Sequence, residues 1–132
     1  MGQYFVLVNE KRQEAVCPFC AGGTSKLYEW CAQPHSGLLP YLLRRSNETG
    51  GGDIADPEKA QYAGRWAGEE VYLVGDYDQS GRYKAAYEGY ANITPELCRE
   101  YNEFMGCAEL ALQTEFCSSC KERGEAAQAG GN

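Results

Sequence analysis

The chain has 132 residues, 43% of them hydrophobic, and 12 Lys and Arg against 19 Asp and Glu give a formal net charge of −7. That length suits one domain with a real core, and the apolar content excludes wholesale disorder. The acidic balance excludes a protein that coats the nucleic-acid backbone or an anionic membrane, because both need clustered Lys and Arg.

In chain order, Tyr4–Val8 is β-branched and aromatic and predicts a strand. Asn9–Arg12 is a polar turn, after which Glu14–Cys17 returns as the second arm of a hairpin. Ser25 is placed to cap a short helix through Ala32 with Leu27, Trp30 and Cys31 facing inward, and Pro34 stops it. Leu38–Leu43 is a second apolar run, too short to assign between strand and helix. Ser46–Asp56 has loop composition, and Asp56-Pro57-Glu58 reads as a helix start with Asp as cap.

Glu70–Val74 predicts a strand, Gly75–Gly81 a turn and Tyr87–Ile93 another strand. Thr94-Pro95-Glu96 starts a helix, with Leu97, Tyr101, Phe104, Met105 and Ala108 at core spacing. Residues 124–132 are mostly Gly, Ala and Gln and predict a fraying tail after a single domain over 1–123. The order predicts a small α+β domain with an antiparallel sheet and one or more C-terminal helices.

The N-terminus lacks a basic segment and a long apolar one, so no signal peptide is expected, and no run is long enough to span a membrane. Val6 occupies the position where a myristoylation motif wants Ser or Thr. These features place the protein in a reducing cytoplasm, where cysteines serve as metal ligands, redox thiols or buried apolar residues. Asn47-Glu48-Thr49 and Asn92-Ile93-Thr94 match the glycosylation pattern, which carries no weight without export.

Cys17-Pro18-Phe19-Cys20, followed by Gly22-Gly23, is the most specific local feature among the 7 cysteines. Two thiolates three positions apart on a tight turn can bind one Zn²⁺, but they supply only half a tetrahedron. Cys31 and His35 offer a local completion, C-x2-C-x10-C-x3-H. Cys117-Ser118-Ser119-Cys120 offers a distal one that ties both ends of the domain together. Either set would be a closed structural site, with no open position for chemistry.

Two other readings use the same residues. Cys107, Leu110, Thr114, Cys117 and Cys120 fall in one broad stripe if the last helix is continuous, which would make cysteine core filler and leave no metal. Cys17-Pro18-Phe19-Cys20 also resembles the active turn of glutaredoxins and thioredoxins, with Cys17 as nucleophile, Cys20 as resolving thiol and Thr94-Pro95 beside them. Gly22-Gly23 disfavours the helix that this mechanism needs.

Asp76-Tyr77-Asp78-Gln79-Ser80-Gly81 has the start of a calcium loop, but its twelfth position holds Tyr87 in place of Glu. The lone His35 excludes His-based acid–base pairs. Ten tyrosines suit a protein-binding surface.

Met1 to Asn9, Gly51-Gly52-Asp53, Gly64-Arg65-Trp66-Ala67-Gly68-Glu69 and Val74-Gly75-Asp76-Tyr77-Asp78 together resemble a family of small uncharacterised, mostly microbial proteins. The resemblance spans about Gly2 to Phe104 and implies no activity. In that family's pattern the stretch at Cys17–Gly23 more often carries His and Lys, and Cys117–Cys120 lies outside it. Metal would then be a private stabiliser of this chain. The sequence reads as a binding or interaction module with a structural zinc site, not an enzyme; the alternative is a thiol–disulfide oxidoreductase. A protein partner fits this reading, and the oligomeric state is open.

Overall fold

The computed structural model describes residues 3–46, 54 and 56–130, with side chains through 124. Residues 47–53, and with them most of the expected Ser46–Asp56 loop, lie outside the described residues, as do Met1, Gly2, Ala55, Gly131 and Asn132. Side-chain alternation along the first strand decides the layering. In β1 (Phe5–Asn9), Leu7 faces one side of the sheet and Val6 and Val8 the other, and all three are buried. A sheet buried on both faces needs a cover on each, and the rest of the chain supplies two.

β2 (Glu14–Val16) returns antiparallel to β1, with Val16 opposite Leu7 and Ala15 opposite Val8, so the hairpin register preserves the two faces. The Asn9 side chain closes the turn by accepting from the Arg12 N–H (3.0 Å). β3 (Tyr72–Gly75) pairs antiparallel with the other edge of β1. β4 (Ala91–Asn92) pairs parallel with β2, giving the order β3-β1-β2-β4. The sheet is therefore mixed, where an antiparallel one was expected: β4 arrives beside β2 by a long crossover, which permits a parallel pair.

Over the Leu7 face lie α1 (Leu27–Ala32), α2 (Leu38–Leu43) and α4 (Thr94–Met105), with Trp66 fully buried among them. α3 (Arg82–Glu88) covers the Val6/Val8 face through Ala86, flanked by Tyr83 and Tyr87. The domain is α+β, and among the described residues no helix is long and apolar enough to cross a membrane.

Several local expectations change. The segment expected as a strand over Tyr87–Ile93 splits into the end of α3 and the two-residue β4, because Tyr83, Ala86 and Tyr87 form a helical apolar face. In α1 only Trp30 is buried; Leu27 and Cys31 face outward, and Lys26, not Ser25, holds the cap position. Asp56 starts only a short 3-10 turn and makes no side-chain cap. Met105 and Ala108 are exposed, since α4 stops at Gly106, which adopts φ 61°.

The continuous last helix expected to carry Cys107 through Cys120 does not form. A 3-10 turn (Ala108–Leu110) and an irregular stretch intervene before α5 (Ser118–Gly130). α5 runs helical to Gly130, through most of the segment whose composition predicts fraying.

Candidate metal centre

Cys17 follows β2 directly, and its N–H donates to Thr94 Oγ1 (2.8 Å) at the start of α4. The chain then folds back on itself. Ala21 and Gly23 N–H groups both donate to the Pro18 carbonyl (3.1 and 3.0 Å), and the Gly22 N–H donates to the Phe19 carbonyl (3.1 Å). Gly22 takes φ 85°, a left-handed conformation that side chains disfavour. Gly23 lies so close to the His35 ring that an added Cβ would collide with it. This turn presents the sulfurs of Cys17 and Cys20, both buried, and runs on into irregular chain, with no helix directly after Cys20.

The other two sulfurs come from the far end of the chain. After Gly106, the Asn102 side chain grips Leu112 with two 2.8 Å bonds, donating to its carbonyl and accepting from its N–H. The Gln113 N–H donates to the Ala21 carbonyl (3.1 Å), which aligns the returning strand of chain with the Cys17–Gly23 turn. Cys117 then donates its N–H to Cys20 Sγ (3.4 Å), and the first turn of α5 swings Cys120 to the same point.

The sulfurs of Cys17, Cys20, Cys117 and Cys120 all lie within 4.8 Å of one another. A tetrahedron with Zn–S bonds of about 2.3 Å has edges of about 3.8 Å, so the set needs to close by an ångström or less. It is the only group of three or more His, Cys, Asp and Glu side chains among the described residues placed to share an ion. Cys31 is exposed and His35 is buried elsewhere, so neither joins it. Cys98 is buried in the main core and Cys107 is exposed.

Four donors address these sulfurs from outside. Tyr87 donates its hydroxyl to Cys17 (3.5 Å), the Asn92 amide donates to Cys20 (3.4 Å), and the Arg123 guanidinium approaches Cys120 (3.7 Å). The Cys117 N–H is the fourth. Burial, and next the Cys17 charge, push the Tyr87 hydroxyl upward, so it stays protonated and keeps donating. Arg123 stacks 4.6 Å over the Tyr87 ring, joining two of the donors.

Hydrogen bonds from Cys120 and then Cys20 pull the Cys17 thiol far below its usual range, against its burial. The same bonds, to Cys17 first, push Cys120 up. Four thiolates this close demand a cation among them.

Sequence reasoning misses Asn92 as a partner of the cluster, and it places Thr94 only at the start of a helix and beside the turn of the redox reading. Thr94 donates its hydroxyl to Asn92 Oδ1 (2.6 Å) while accepting from Cys17, and that orients the Asn92 amide toward Cys20. For Asn92 the sequence offers only the Asn-x-Thr glycosylation pattern. Thr94→Val leaves the buried Cys17 N–H unpaired and removes one of the two bonds that hold Asn92 Oδ1, the backbone N–H of position 94 keeping the other. We expect a loss of about 1–3 kcal/mol in urea unfolding and a metal affinity lowered about 10–100-fold in competition with a chromophoric chelator.

His35 has a packing role. Its ring sits edge-on to Trp30 (centroids 4.6 Å apart), and neither nitrogen finds a hydrogen-bond partner among the described residues. Burial pushes its pKa below the ordinary value of 6.5. Unfolding then takes up a proton at mildly acidic pH, so the stability this neutral ring contributes is complete above pH 6.5 and drains as pH falls toward its folded pKa. The slope reaches up to about 1.4 kcal/mol per pH unit. Denaturant titrations from pH 7 to 5 should show a shallower slope in His35→Phe; an identical slope would refute the assignment.

The remaining candidates stay local. Asp76 Oδ1 accepts from the Tyr4 N–H (3.1 Å), and Asp78 Oδ1 accepts from the Ser80 N–H (2.9 Å) and hydroxyl, so both carboxylates serve their own turn. No protein-family profile, curated protein or solved structure matches this chain.

Proposed function

We propose that this protein is a small binding or interaction module whose fold is closed by a structural zinc ion on Cys17, Cys20, Cys117 and Cys120. The observation that carries the reading is the convergence of four sulfurs from two C-x2-C turns at opposite ends of the chain, within 4.8 Å of one another. A tetrathiolate set suits zinc, and four protein ligands leave no open coordination position, which favours a structural role over a catalytic one. The donors from Tyr87, Asn92, Cys117 and Arg123 support it, since sulfur ligands carrying excess negative charge are stabilised by such outer contacts.

A thiolate site of this kind fits a reducing cytoplasm. A protein partner fits the apolar side chains left exposed beside the ligands, Phe19 inside the first turn and Phe116 just before Cys117. Elemental analysis of protein purified without added chelator should give about one zinc per chain. Cys117→Ser/Cys120→Ser should lose it, while Cys31→Ser/His35→Phe should keep it. Metal-free protein with seven titratable thiols would overturn the proposal.

A further inference from the structure

The two halves of the thiol cluster are held very differently. Cys17 and Cys20 are buried, in a turn pinned by three backbone hydrogen bonds and by Thr94. Cys117 and Cys120 are half-exposed. Beyond Leu112, no residue with a described side chain is buried. From residue 115 to 124 the chain meets the body through Cys117, Cys120 and the Arg123–Tyr87 stack. Helical spacing puts the Cα atoms of positions i and i+3 about 5 Å apart, inside the range a disulfide needs.

From this asymmetry we infer that Cys117–Cys120 is a site of reversible two-electron oxidation by hydroperoxides, and that its oxidation lets go of α5. The inference rests on the four-sulfur reading for its metal-release step. One thiolate sulfur attacks a peroxide oxygen, the O–O bond breaks, and a sulfenic acid forms as hydroxide departs. The second thiolate attacks that sulfur, the S–S bond forms, and a second hydroxide departs. Solvent supplies two protons to make water, the peroxide gains two electrons, and the two sulfurs lose them.

A disulfide between Cys117 and Cys120 withdraws half the ligands, so an ion held by four sulfurs keeps only two. α5 loses in the same event the attachments made through those two sulfurs, and keeps only the Cys117 N–H bond and the Arg123–Tyr87 stack. Cys17 and Cys20 stay behind as an intact dithiol, screened by Tyr87 and Asn92. A thiol reductant restores the starting state.

The test uses full-length protein carrying Cys31→Ser and Cys107→Ser, which removes the two exposed thiols outside the cluster. Its metal content is measured first, then one equivalent of hydrogen peroxide is added. We expect peptide mapping to find the Cys117–Cys120 disulfide, with metal released in step. Tryptic cleavage after Lys121 and Arg123 should accelerate at least tenfold, and dithiothreitol should reverse both changes. A Cys17–Cys20 disulfide, a bond between the two pairs, or an unchanged cleavage rate would overturn the inference. If the protein carries no metal at the outset, the zinc reading fails by itself; the disulfide map and the cleavage rate still decide this one.

Discussion

Removing the proposed zinc ion should lower the melting temperature by roughly 10–20 °C. The two C-x2-C turns bracket nearly the whole chain, and an ion that binds only the folded arrangement stabilises it by about 4 kcal/mol at a thousandfold excess over its dissociation constant. For a domain of this size each kcal/mol moves the midpoint by a few degrees, about 2–8 °C. Cys20→Ser should reproduce the drop without chelator, because it removes a fully buried ligand and strands the Asn92 amide and Cys117 N–H that point at its sulfur. Chelator added to Cys20→Ser should then change nothing further. Scanning calorimetry of both proteins with and without chelator checks this, and a wild-type midpoint indifferent to chelator would remove the metal from the stability account.

The second large effect belongs to Trp66. Its side chain is fully buried against the Leu7 face of the sheet, and its indole N–H donates to Glu14 Oε1 (2.8 Å). Arg65, its neighbour, grips the same carboxylate through Nε (3.0 Å to each oxygen) and Nη2 (2.5 Å). Burial alone would push the Glu14 carboxyl up, but the hydrogen bonds from Arg65 and Trp66 and the charges of Arg65 and Arg12 outweigh it and hold it below the usual carboxylate range. One tryptophan therefore fills the core and also helps keep a buried charge satisfied on β2.

Trp66→Ala should cost about 3–5 kcal/mol from the cavity. Trp66→Phe restores most of the volume but not the donor, and should cost about 1–3 kcal/mol. Urea unfolding with an unchanged m-value would show both as losses of native stability, and metal stoichiometry should be untouched in each. A Trp66→Phe variant as stable as the wild type would mean that the bond to Glu14 contributes nothing.

What the sequence disclosed follows from how local each signal is. The β1–β2 hairpin was readable because its alternation and its turn occupy a dozen consecutive residues. The start of α4 was readable because Thr-Pro-Glu is a local stereochemical signal. Thr94 nevertheless spends its hydroxyl on Cys17 and Asn92 instead of capping the helix, a use that only tertiary structure creates. α3 was missed because Tyr83, Tyr87 and Tyr90 favour strands intrinsically, while the seven-residue helix follows from packing against Val6 and Val8.

The choice between the two completions of the cysteine site lay beyond spacing. Cys31 and His35 are close in sequence to Cys17–Cys20, and His35 even packs beneath Gly23. Yet α1 orients by burying Trp30, which turns Cys31 to the outside and uses the imidazole as filling. The distal pair is brought home by Gly106, Asn102 and the bond from Gln113 to Ala21, none of which resembles a metal motif.

That separation sets a timetable for biosynthesis. Cys117 stands 97 residues after Cys20, and at a translation rate of about 5–20 residues per second the first pair of thiols precedes the second by roughly 5–20 s. During that interval Cys17 and Cys20 have been made, and the Cys117–Cys120 segment is not there to close over them. The nascent chain therefore passes through a stage in which two thiols that the finished fold buries are open to oxidants and to competing metals. The last helix to be made is the one that ends it.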